Sequence, residues 1–81
     1  MARVFNPVKQ WEVFNHYVRI YMAQRDIRTQ EQLAAMMSMP RTSVSRRMKN
    51  GGWSVEETWR LVRALGIAPG DVAVMMASVA A

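Results

Sequence analysis

The chain has 81 residues, enough for one domain with one modest core. Its 11 Lys and Arg outnumber 6 Asp and Glu, and the formal charge of +5 favours a polyanionic partner. The lack of cysteine excludes a disulfide scaffold and a thiolate metal site, and no apolar run reaches the roughly 18 residues that suggest a membrane span.

In chain order, residues 1–6 form a short arm carrying Arg3, Val4 and Phe5, and residues 7–81 form the domain. Asn6 is a favoured helix cap and Pro7 a favoured first helical residue. The helix they open is predicted to run to about Asp26. Trp11, Phe14, Val18, Tyr21 and Met22 recur at helical spacing as its buried stripe, which Val13, Tyr17 and Ile20 widen. Lys9, Arg19, Arg25 and Arg28 fall on or beside its polar side, where solvation is the expected role.

Residues 29–51, TQEQLAAMMSMPRTSVSRRMKNG, read as two short helices joined by a tight turn. Thr29 and Gln32 make a capping box, and Glu31 suits the positive end of the helix dipole. Leu33, Ala34 and Met37 lie at core spacing, the small Ala34 allowing a close helix crossing. Pro40 has no N–H to donate and restricts Met39 to extended backbone, so Ser38-Met39-Pro40 breaks the helix. The next helix spans about 41–49, with Val44 and Met48 turned inward, and Asn50-Gly51-Gly52 ends it. Arg41, Arg46, Arg47 and Lys49 occur between Ser38 and Trp53 with no acid among them.

Ser54-Val55-Glu56-Glu57 is a second capping box. In the helix it opens, Trp59, Val62 and Leu65 are predicted to face inward, with Val55 and Leu61 at the margins and Gly66 as terminator. Trp53 is expected to pack beneath the loop, against the alternative that it lies along a DNA phosphate. The last helix, about 69–80, carries Val72, Met75, Met76 and Val79 as a stripe and has almost no polar side. An apolar helix must be covered. The expectation is therefore a two-fold homodimer through Val72, Met75, Met76 and Val79, against the alternative that the helix tucks fully into the domain.

Residues 29–72 resemble the helix-turn-helix of the phage repressor and Cro family. Val44-Ser45-Arg46-Arg47-Met48, Asn50-Gly51, Trp53 and Ala64-Leu65-Gly66-Ile67-Ala68-Pro69-Gly70-Asp71-Val72 stand where that family has VSRRL, NG, Trp and ALG[VI]xPxDL. Two positions depart: Ser38 replaces the usual turn Gly, and Pro40 replaces the usual Ser or Asn cap. The resemblance implies an all-α, five-helix, lambda-repressor-like bundle that binds double-stranded DNA as a sequence-specific transcriptional regulator. It implies a phage or prophage protein without a sensor domain, acting in the bacterial cytoplasm. The helix at 41–49 would enter the major groove, with Arg41, Thr42, Ser43, Ser45 and Arg46 as candidate base contacts. Gln30, Arg47, Lys49 and Asn50 are the candidate backbone contacts.

Two other functions fit the same residues. One is an excision or architectural factor that bends DNA. The other is a protein-interaction module that uses the apolar last helix. Catalysis is not expected: His16 lies off the main stripe, with only Glu12 and Arg19 at helical neighbour positions. No phosphate-binding glycine loop and no metal-ligand cluster is present, so no cofactor, metal or small-molecule ligand is expected.

Overall fold

A computed structural model describes residues 10–80. Five helices follow one another, α1 Glu12–Gln24, α2 Gln30–Met37, α3 Arg41–Asn50, α4 Val55–Leu65 and α5 Pro69–Ala80, with no strand among the described residues. The arm and the predicted Asn6–Pro7 helix start lie outside the described residues. The core gathers Phe14, Val18, Leu33, Met37, Val44, Leu61, Leu65 and Met75, at least one side chain from every helix. α5 lies along α1, and α2 packs against both α3 and α4.

Local chemistry explains most boundaries. Thr29 Oγ1 accepts from the Gln32 N–H while the Gln32 side chain reaches back to the Thr29 N–H, and Ser54 with Glu57 repeats the arrangement at the start of α4. Three helices end in left-handed residues: Asp26 (φ 57°), Ser38 (φ 55°) and Gly66 (φ 63°). At Ser38 the Met39 N–H donates to Ala34 O and the Ser38 N–H to Ala35 O, the paired bonds of a Schellman ending. Asp26 ends α1 in the same manner, through Ile27 N–H to Met22 O and Asp26 N–H to Ala23 O.

Arginines cap the orphan carbonyls at helix C-termini from neighbouring helices. Arg60 donates to Met37 O at the end of α2, Arg19 to Met48 O near the end of α3, and Arg25 to Leu65 O at the end of α4. Positive charge is favourable there because the carbonyl end of the helix dipole is negative. Arg19 and Arg25, expected on a solvated face, thus hold elements of the fold together. Of the predicted first-helix stripe, Phe14, Val18, Tyr21 and Met22 are buried and Trp11, at the cap of α1, is half-buried, whereas Val13 and Ile20 are exposed.

The face of α4 differs from expectation. Thr58, Leu61 and Leu65 are buried, whereas Trp59 is 59% exposed and Val55 71% exposed. Both stripes satisfy helical spacing. Thr58 can turn inward because its hydroxyl donates to Ser54 O at 2.8 Å, so its burial leaves no polar group unpaired. Leu61 then fills the core position that Trp59 was expected to share.

Candidate functional site

α3 leans on the domain through Val44 and Met48, the two residues it buries. The opposite side presents Thr42, Arg46, Lys49 and Asn50 to solvent, Arg41 is exposed at the start of the helix, and Ser43 and Ser45 are half-buried. Arg41, Arg46 and Lys49 have no ion pair among the described residues. The start of the helix is open. Pro40 sits at the cap with no side-chain hydrogen bond, and its carbonyl accepts from the Ser43 and Val44 N–H groups. Gln30, also a half-buried candidate, is the first residue of α2.

Arg47 is a different case from its neighbours. Its Nε donates to Glu57 Oε1 at 3.1 Å, and the pair is largely shielded. The sequence holds no acid near Arg47 along α3, but α4 supplies one through its capping box. Burial opposes the charge on Glu57. The Ser54 backbone N–H and the Arg47 guanidinium outweigh that penalty and hold the carboxyl below its usual pKa of 4.5. The charge of Arg47 is thereby answered within the fold, and it ties α3 to α4.

The end of α3 is held by a residue whose role the sequence did not disclose. Asn15, on α1 and 4% exposed, donates through Nδ2 to Arg47 O at 3.0 Å and Met48 O at 3.1 Å. Its Oδ1 accepts from Trp53 Nε1 at 2.8 Å. All three bonds span more than 30 residues of chain, so only a polar residue within an apolar stripe hinted at them. Trp53 is buried as expected and stacks on Phe14 at 6.2 Å between ring centroids. Gly51 leaves α3 at φ 80°, and a Cβ there would lie 2.1 Å from Trp11 Cγ. Asn15, Arg19, Trp11 and Trp53 therefore fix where α3 ends and how it is presented.

The residues expected to join two copies do not share one surface. Met75 is 1% exposed and belongs to the core, so its side chain is turned towards the bundle. Val72 and Val79 are half-buried against the core, and Met76 is 41% exposed. Met75 points inward because α5 must supply the side chain that closes the bundle against α1. The first turn of α5 is also tied down: Tyr21 Oη donates to Asp71 Oδ2 at 2.5 Å and accepts from the Ala68 N–H at 3.1 Å. Its hydrogen bond to Asp71 raises the Tyr21 pKa above the usual 10.0.

Among the described residues, no group of three or more His, Cys, Asp or Glu could hold a metal ion. No described helix is long and apolar enough to cross a membrane. His16 is exposed, its ring edge-on to Tyr17. A comparison with known proteins finds no matching family model, no matching curated protein and no matching solved structure.

Proposed function

We propose that this domain binds double-stranded DNA and regulates transcription, with α2 and α3 as its helix-turn-helix and α3 as the helix that enters the major groove. The observation that carries this is the set of exposed residues on α3: three cations without an ion pair among the described residues, small hydrogen-bonding side chains and no acid. A solubilising helix would interleave acids with its bases; a helix built to meet phosphates and base edges would not.

Roles follow exposure and direction. Arg41 and Arg46, exposed and without an ion pair among the described residues, each have the fork to grip a guanine through O6 and N7. Thr42, Ser43 and Ser45 are small enough to let the helix seat closely. Lys49, Asn50 and Gln30 serve the phosphate backbone. Arg47 has a lesser share in DNA contact, since Glu57 already occupies its Nε.

Selection of bound sequences from random duplex DNA tests this function. Enrichment of one short motif supports sequence-specific binding. Binding without enrichment would instead favour an architectural factor, and absence of binding at low salt contradicts both.

A further inference from the structure

Four cations, Arg41, Arg46, Arg47 and Lys49, lie on α3, and three of them have no ion pair among the described residues. The fourth, Arg47, meets an acid from another helix. Glu57 is the third residue of α4, and its Oε1 accepts from the Ser54 N–H at 2.8 Å and from Arg47 Nε at 3.1 Å. Ser54 Oγ in turn accepts from the Glu57 N–H at 3.1 Å. The carboxylate is therefore held by the start of α4 and cannot follow Arg47 elsewhere.

Capping does not require the charge. At the start of α2 the same pair of bonds is made by a neutral residue: Gln32 Oε1 accepts from the Thr29 N–H, and Thr29 Oγ1 accepts from the Gln32 N–H. The helix dipole of α4 favours an acid, but Glu56 already supplies one in the same turn. What the Glu57 charge adds is the pair with Arg47, in a place where its side chain is only 18% exposed and that of Arg47 33%.

Sequence-independent affinity for duplex DNA grows with each phosphate neutralised, because each neutralisation releases bound counterions. A phosphate that took Arg47 from Glu57 would strand a shielded carboxylate. A phosphate that shared Arg47 with Glu57 would meet a pair without net charge. We propose that Glu57 restrains DNA affinity: it holds Arg47 in a neutral pair with α4 and so withdraws one of the four cations of α3 from the phosphates. Glu57 is thus a positioning residue that acts through Arg47, which presupposes that α3 binds DNA. Phosphate contacts add alike to every sequence, so the restraint lowers attraction to arbitrary DNA and leaves the base contacts of Arg41 and Arg46 untouched.

Binding of the full chain to a duplex of arbitrary sequence, between about 50 and 200 mM salt, tests this. Glu57→Gln keeps the cap and should bind more tightly than the parent, with a slope of log affinity against log salt steeper by about 0.9, one further phosphate. Its advantage should accordingly shrink about threefold over that range of salt. Glu56→Gln makes the same change of net charge one residue away, where the partner is Arg60 and not a residue of α3, and should steepen the slope clearly less. The double variant Arg47→Ala, Glu57→Gln should return to the parent's slope, because the pair it deletes supplies no net cation. Circular dichroism should match the parent throughout. A Glu57→Gln slope no steeper than that of the parent, or one matched by Glu56→Gln, overturns the restraint while DNA binding stands. A double variant with a flatter slope than the parent shows that Arg47 reaches phosphate despite Glu57, and overturns it equally. A parent that binds no duplex at low salt overturns both the restraint and the DNA-binding role of α3.

Discussion

The indole N–H of Trp53 donates to Asn15 Oδ1 at 2.8 Å, in the buried layer where α1 meets the end of α3. The amide of Asn15 spends its two donors on the Arg47 and Met48 carbonyls. One side chain thus satisfies an indole and two helix-end carbonyls. Removing one partner leaves the others desolvated and unpaired, which costs more than the bond itself was worth. Asn15→Leu should destabilise the fold by about 2–4 kcal/mol, and Trp53→Phe, which preserves the ring contact with Phe14, by about 1–2 kcal/mol. Chemical denaturation of the two variants measures both. If DNA is bound as proposed, Trp53→Phe should also relax preference at the bases met by the end of α3, without changing the salt dependence. Equal stability of Asn15→Leu and the parent would show that the buried amide is not needed.

Ser38 adopts φ 55° and ψ 43° with a Cβ, a conformation that costs a non-glycine residue about 1–2 kcal/mol. Glycine removes that cost but adds chain entropy to the unfolded state, worth about 0.4–1 kcal/mol in the opposite direction. Ser38→Gly should therefore stabilise the protein by up to about 1 kcal/mol. Gly51→Ala is the contrasting case. Its Cβ would stand 2.1 Å from Trp11 Cγ, so either Trp11 or the end of α3 must move, and a loss of at least about 2 kcal/mol is expected. Thermal unfolding of both variants checks the opposite signs. A stabilised Gly51→Ala would contradict the close approach.

Glu57 titrates lower in the folded protein than its ordinary 4.5, so the fold favours its charged form. Its contribution is fully present above pH 4.5 and is lost as pH falls through the lower folded value. Glu57→Gln keeps a side chain able to cap α4 but cannot pair with Arg47 as an ion. The variant should be less stable at pH 7 by under about 1 kcal/mol, and the gap should close as the solution becomes more acidic. Tyr21 runs the other way: its raised pKa means that its contribution holds below pH 10.0 and fades as pH rises through the folded value. Urea denaturation of parent and Glu57→Gln across pH 2.5–7 (approximate limits spanning the carboxylate range) checks the first sign. A gap that widened in acid would contradict it.

What could be read from the sequence was what neighbouring residues decide. Thr29 with Gln32 and Ser54 with Glu57 fix two helix starts within four residues each, and the structure has both boxes. The break before Pro40 was visible because proline cannot continue the helix, and the left-handed Ser38 was suggested only by the resemblance, which has Gly at that turn position. What escaped was settled by distant chain. Arg47 had no acid near it in sequence until α4 brought Glu57 to it, and Asn15 carried no local signal of the bonds that α3 and Trp53 make to it. On α4 two stripes had equal periodicity, and the one through Trp59 was expected to face inward. The local Thr58–Ser54 hydrogen bond and the fit of Leu61 chose the other. The same choice put Trp59 at the surface, and the inward turn of Met75 takes that residue off the exposed side of α5.

Charge compensation separates two neighbours on α3. Lys49 is exposed and has no ion pair among the described residues, whereas Arg47 is paired with Glu57. If both lie near phosphates, Lys49→Ala should flatten the dependence of log affinity on log salt by about 0.9, the value for one neutralised phosphate. Arg47→Ala should flatten it less and lower stability more, because it strands Glu57. Paired salt titrations and melts distinguish the two. Identical slopes would mean that Glu57 releases Arg47 to the DNA.

The most direct measurement of whether α3 meets DNA is the affinity for a selected duplex as a function of salt, for the parent and for Arg46→Ala. The parent should lose affinity steeply as salt rises, with a slope of about −3 or steeper if several cations of α3 and its surroundings displace counterions. Arg46→Ala should cost about 1–3 kcal/mol on the preferred duplex and relax discrimination at one base position, while circular dichroism stays unchanged. Affinity that barely responds to salt, or an Arg46→Ala variant that binds every duplex as the parent does, would contradict a DNA-reading role for this helix.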